Sequence, residues 1–283
     1  MFSNILKSYR QFSRLKPRTV IALRCLALAV PLMMEALSVY GANGDYRSIG
    51  SGNWTANTTW QADYGAGFVA ANAGDYPGKN TGTGTVTIQN NNIVNLNASI
   101  PNAIGSLTIS GTGNNTALVF DGLGVWTLNV TNATTINGPT SNNINNYVSV
   151  SLGTLTTGSI SMVNSGTASR DSYLSISSGS VVVSGNINMP GANTLNYILF
   201  PAASTGTLYI AGGFTGTGGL TSTVGGGAVA PTAGTVNYNS AGNQSIANFT
   251  YFNLSASTGG TKTLPAAAFN VNGNLDVTSS TLA

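Results

Sequence analysis

Histidine is absent from the 283 residues, cysteine occurs once, at Cys25, and glutamate once, at Glu35. Each absence removes a class of chemistry. Zinc and transition-metal centres are built from clusters of His, Cys and carboxylates, so they are excluded. A Ser–His–Asp triad lacks its imidazole. A disulfide lacks its second thiol. Charge is scarce as well: charged residues make up 6% of the chain, ten Lys and Arg against seven acids.

That small charge is unevenly placed. Residues 1–41 hold Lys7, Arg10, Arg14, Lys16, Arg18 and Arg24 with a single acid, Glu35. An apolar stretch runs from Val20 to Tyr40 and ends in Val39-Tyr40-Gly41, before Ala42-Asn43-Gly44. A basic start, an apolar middle and small residues at a cleavage point form the pattern of a secretory signal. A membrane anchor is the alternative, but Arg24 and Glu35 are costly at mid-bilayer. The expectation is a signal peptide over 1–41, cut after Gly41, and no membrane span once it is gone. The remainder carries Arg47, Lys79, Arg170 and Lys262 against Asp45, Asp63, Asp75, Asp121, Asp171 and Asp276, two negative charges net. The basic character and Cys25 therefore belong to the leader. No Lys/Arg cluster remains to meet a phosphate backbone, so nucleic acid is not an expected partner.

What is present after the leader is Gly, Asn, Thr and Ser, interleaved with short apolar runs. No window carries the i, i+3, i+4, i+7 stripe of an amphipathic helix. Runs such as TVTIQ (85–89), SLTIS (106–110), VWTLNV (125–130), YLSIS (173–177) and TLYIA (207–211) alternate instead. Period two predicts short strands with one face in a core. A degenerate unit recurs as VVVSGNINM (181–189), LYIAGGFTG (208–216) and FNVNGNLDV (269–277), with a weaker copy in TTINGPT (134–140). Its glycines, Gly138, Gly185, Gly212 and Gly273, are 47, 27 and 61 residues apart, so the period is not fixed. A β-helix tolerates that irregularity, because each coil need only stack its inward residues on the next. The predicted fold is all-β: an irregular right-handed parallel β-helix or solenoid with an N-terminal cap. A series of β-sandwich repeats is the alternative. Residues 42–100 are read as the capping module and 101–283 as the repeat region.

Few side chains invite chemistry. Trp54, Trp60 and Trp126 are the candidates for stacking on sugar rings. For Trp54 and Trp60 the preferred reading is simpler: they fill the core of the cap. Asp45, Asp63 and Asp75 share the cap, where solvated loop acids are preferred over a calcium site. Glycoside hydrolysis needs two carboxyl groups facing one bond, and Asp121 with Asp171 is the pair to test. Arg170-Asp171 is read as a loop salt bridge. Thr85/Thr87, Thr154/Thr156, Thr215/Thr217 and Thr261/Thr263 fall at irregular intervals, so β propensity explains them better than an ordered array. The glycine-rich pieces 212–219 and 225–227 lack the Lys and following helix of a phosphate loop. No catalytic residue, metal ligand or cofactor is assigned.

The order Gly52-Asn53-Trp54, Thr59-Trp60, Tyr76-Pro77-Gly78, Val86-Thr87-Ile88, Ile93-Val94-Asn95-Leu96 and Ile104-Gly105-Ser106-Leu107-Thr108-Ile109 resembles the start of large secreted or cell-surface proteins of Bacteroidetes-type bacteria. So does the later series Gly242-Asn243-Gln244-Ser245-Ile246, Tyr251-Phe252-Asn253-Leu254, Gly260-Thr261-Lys262-Thr263-Leu264 and Val271-Asn272-Gly273-Asn274-Leu275. The match covers about half of the chain beyond the leader, and its motifs speak to fold more than to activity. The resemblance implies an adhesin-like, non-enzymatic β-repeat protein, secreted or on the cell surface. Its partners would be extracellular polysaccharide or surface and matrix components; a carbohydrate-binding or polysaccharide-active module is the alternative. Members often end in a sorting domain, whereas this sequence stops inside what looks like a repeat. The expectation is either the front part of a longer product or a short relative.

Overall fold

The computed structural model describes residues 44–163, 170–192, 195–225 and 229–283, all within the unit Ala42–Ala283. The leader and Cys25 lie outside the described residues. Within them the chain is a parallel β-helix; the only helical turn is the short 3₁₀ segment Asn57–Thr59. Coil-to-coil pairing in the long sheets is parallel, which removes the sandwich alternative.

Three faces make up a full coil. The first contains residues 127–130 and 154–157, then Ser180–Val183, Thr207–Ile210, Thr235–Tyr238, Asn253–Ala256 and Leu275–Val277. The second begins with Tyr46–Ser48, Thr85–Gln89 and Ser106–Ser110. It continues through residues 133–136 and 159–162 to Ile187–Met189 and Phe214–Gly216. The third runs from Gly52–Asn53 and Ile93–Leu96 through Thr116–Phe120, Ile144–Val150 and Arg170–Ile176 to Asn196–Leu199 and Gly219–Thr221. Thr127 pairs with Thr154, Thr154 with Ser180, Ser180 with Thr207 and Thr207 with Thr235, so the central coils are 27, 26, 27 and 28 residues long. The next step, Thr235 to Asn253, takes only 18.

Alternation sends every second residue inward, and parallel register stacks like on like. Leu128, Leu155, Val181, Leu208, Val236 and Leu254 form one buried column on the first face. Ile88, Ile109, Ile136 and Met162 form another on the second. Val94, Leu118, Val148, Leu174, Ile198 and Leu220 form a third. Burial of each such side chain contributes about 1.5–3 kcal/mol. Between these columns runs an inward polar one, Thr116, Asn146, Ser172 and Asn196, all fully buried. It turns back on the corner backbone: Asn146 Nδ2 donates to the carbonyls of Gly111 and Asn137, and Ser172 Oγ to that of Val163. Gln244 and Lys262 repeat the device further on. Gln244 donates to the Ile210 and Gly212 carbonyls, and the Lys262 ammonium to those of Ser240 and Gly242. Burial holds Lys262 below the ordinary lysine range.

The corners explain the glycines. Between the first and second faces, the amide of Gly185 donates to Gly158 and that of Gly212 to Gly185. Gly185 and Gly212 are thus one coil apart in one corner, whereas Gly138 and Gly273 lie outside this column; that is why the four glycines showed no common period. The backbones approach so closely that a Cβ on Gly185 would lie 2.7 Å from the Gly158 carbonyl oxygen.

Pairing turns antiparallel, among the described residues, only near the start. Tyr46–Ser48 pairs with Trp60–Asp63, which pairs with Phe68–Ala70. Trp54 and Trp60 fill the interior here, edge to face at 5.1 Å. Leu275 and Val277 continue the first face and are 52% and 41% exposed.

Substituting Gly185 by Ala is expected to destabilise by about 1–3 kcal/mol, because backbone must move to admit the methyl group. Ser184→Ala, one residue earlier at the same corner, is expected to stay within about 0.5 kcal/mol. Urea unfolding followed by circular dichroism compares the two; equal effects would show that the corner is not sterically closed.

Candidate functional site

The three tryptophans do not offer a sugar platform together. Trp54 and Trp60 are completely buried, and both indole N–H groups are used, on the carbonyl oxygens of Pro77 (2.9 Å) and Trp54 (2.7 Å). They sit in the core at the antiparallel end, with no ring face open to a ligand. Trp126 is half-buried, its indole donating to Asp121 Oδ1 at 2.7 Å. It anchors a turn whose tip, Leu123 and Val125, is 88% and 71% exposed.

The three acids of the first coils are spent on backbone amides and tyrosine hydroxyls. Asp45 Oδ1 accepts the Thr85 amide, and Asp63 Oδ1 those of Gly65 and Gly67. Asp75, nearly buried, accepts the Tyr46 and Tyr64 hydroxyls on Oδ2 and the Tyr76 amide on Oδ1. No group of three or more potential metal ligands occurs among the described residues. Asp121 and Asp171 cannot share a substrate bond. Asp171 pairs with Asn145, whose neighbour Asn146 pairs with Thr116. Asp121 therefore lies several residues further along the strand direction and two coils away, roughly 20 Å from Asp171. Paired glycosidase carboxyls stand within about 10 Å.

Arg170 and Asp171 lie in the strand Arg170–Ile176, not in a loop, and adjacent strand residues point to opposite faces. Asp171 faces outward beside a stack of tyrosines. Tyr147, Tyr173 and Tyr197, in register on three successive coils, stack nearly parallel with centroids 4.9 and 5.1 Å apart. Tyr197 donates to Asp171 Oδ2 at 2.9 Å, and the Gly225 amide donates to the Tyr197 oxygen at 2.9 Å. Asp171 is 3% exposed, and its Oδ1 has no hydrogen-bond partner. Burial pushes its carboxyl above the ordinary range, against the opposing effects of Tyr197 and Gly225. With Leu199 these rings make a second apolar cluster outside the main core. The stack braces the outer surface of the third face.

The residues that do reach solvent together are the outward columns. On the first face Thr127, Thr154, Ser180, Thr207 and Thr235 stand in unbroken register. Beside them stand Asn129, Thr156, Val182, Tyr209 and Asn237. On the second face Thr87, Thr108, Thr135, Ser161, Asn188 and Thr215 form another series. Neighbours in a column are about 4.8 Å apart, the strand spacing. None of these side chains is charged. Sequence spacing had argued against an ordered threonine array, and the register corrects this: the order runs across coils. A recurring Gly-Thr/Ser-apolar step, at Gly153, Gly179, Gly206 and Gly234, was the available signal.

Trp60→Ala is expected to lose about 3–5 kcal/mol of stability, as for a large buried aromatic, and thermal unfolding measures it. For Asp171 the pH trend is the readout. A carboxyl raised in the folded state favours its neutral form there. That contribution is fully present below the ordinary carboxylate pKa of about 4 and is lost as pH rises through the folded value. Asp171→Asn is therefore expected to gain in melting temperature relative to the parent between pH 4 and pH 8. A constant offset across that range would contradict the assignment.

Comparison of the chain with protein-family models, characterised proteins and solved structures finds no match to any of the three.

Proposed function

We propose that this chain is a non-enzymatic, secreted or cell-surface β-repeat protein, adhesin-like or matrix-forming, that acts by presenting its outward faces. The observation that carries this reading is the pair of uncharged hydroxyl and amide columns held in register over five or more coils. The interior is consumed by stacking. The acids of the first coils hold turns, and the two that could have formed a hydrolytic pair stand far apart. A repeated surface of modest polar groups is what remains to meet a partner. Many weak, equivalent contacts along a rigid rod reinforce one another through effective concentration.

Export is supported by the basic and apolar opening of the sequence. No helix among the described residues is long and apolar enough to cross a membrane. Expression of the full chain in a Gram-negative host is expected to place the protein outside the cytoplasm, with Ala42 as its first residue by mass spectrometry. Cytoplasmic protein retaining residues 1–41 would contradict the reading.

A further inference from the structure

The first face carries an aromatic ring among its outward hydroxyls, whereas the outward column of the second face begins at Arg47, in register with Thr87. Leu208 and Ile210 point into the core, so Tyr209 between them points out and is partly exposed. Register places Val182 directly on one side of it and Asn237 on the other. The adjacent column puts Ser180, Thr207 and Thr235 alongside. The result is an apolar strip made by Val182 and the Tyr209 ring, lined along one edge by three hydroxyls and closed at one end by an amide.

We propose that this patch is a binding site for a neutral, extended polysaccharide lying along the stacking direction, a deepening of the surface-presenting function above and dependent on it. Three features of the patch select the ligand. First, pyranose rings have an apolar face that packs on an aromatic ring, and equatorial hydroxyls at the ring edge that exchange hydrogen bonds with Ser, Thr and Asn. Second, charge is missing. No Lys, Arg, Asp or Glu stands in either column from residue 127 to residue 238. A uronate or sulfated chain would give up hydration here with no cation to replace it, at a cost that a neutral glycan avoids. Third, the hydroxyls repeat once per coil at about 4.8 Å. That is close to the advance per residue of an extended β-linked glycan, so successive sugars meet equivalent groups. A globular protein partner would have no use for such a repeat. Tyr209 takes the role that sequence alone had offered to Trp54 and Trp60, whose rings are enclosed.

The test is co-sedimentation of the leader-free protein with insoluble cellulose and xylan as neutral polymers. Soluble polygalacturonate and alginate serve as charged comparators in affinity electrophoresis. Binding to at least one neutral polymer and not to the charged ones is expected. Tyr209→Ala should weaken it by about tenfold, the size of one aromatic stacking contact. Thr207→Val with Thr235→Val should weaken it further, and Thr135→Val on the second face should leave it unchanged. Circular dichroism on each variant establishes that the β-helix is retained. Undiminished binding by folded Tyr209→Ala would overturn the site while leaving the surface-presenting function standing. Preference for the charged polymers would overturn the ligand class. No binding to any polymer would remove the glycan inference altogether; with the protein still exported and retained on cell surfaces, the broader function would survive without it.

Discussion

Hydrogen bonding of each coil to the one before and after it is the constraint on which this molecule depends. A parallel strand satisfies its N–H and C=O groups only through neighbours on both sides. Here those neighbours are the preceding and following coils, so the register of one coil dictates that of the next. Inward residues must then stack in columns, and Leu128, Leu155, Val181 and Leu208 do so without a break. Corners must pass within van der Waals range of the corners beside them. Gly158, Gly185 and Gly212 meet that demand, since a side chain there would enter the neighbouring backbone. Corner carbonyls are recovered by inward amides and hydroxyls such as Asn146 Nδ2 and Ser172 Oγ while the loops vary.

The stack is closed at its first coils. Near the start, antiparallel strands and two enclosed tryptophans cover the apolar interior. Much of the first coils' aromatic content is thus spent on closure. Trp54 and Trp60 were attractive as ligand-binding groups because they are large and close in sequence; the same properties make them effective plugs.

Stacking also turns ordinary outward residues into extended surfaces. One threonine per coil is unremarkable in a sequence rich in threonine. Five hydroxyls in line are a different object, and they arise with no cost beyond the register that the core already requires. Tyr147, Tyr173 and Tyr197 arise in the same way on the third face, where they stack on one another and hold Asp171. The two surfaces have opposite fates. The tyrosine stack is largely covered, whereas the hydroxyl columns beside Tyr209 remain partly open to solvent.

Strand content was legible from period-two alternation, and Thr85–Gln89, Ile93–Leu96 and Ser106–Ser110 fall where that alternation predicts. The parallel β-helix was legible too, since short strands with irregular corners fit few other packings. The first half of Thr154–Met162 was not: in Gly153-Thr154-Leu155-Thr156-Thr157 only one residue is strongly apolar, and Thr157 is buried by bonding to Thr134 and to the Ser159 carbonyl. Nor was Asp171 readable as a tyrosine partner, because Tyr197 lies a full coil away. By itself the sequence determined which chemistry is absent and which residues alternate, since composition and period two are local properties. Which threonines share a column, which aromatic rings are enclosed and which are partly exposed were decided only by tertiary structure. Those depend on coil length, 26 to 28 residues in the central coils, and no local pattern encodes where one coil comes to rest on the next.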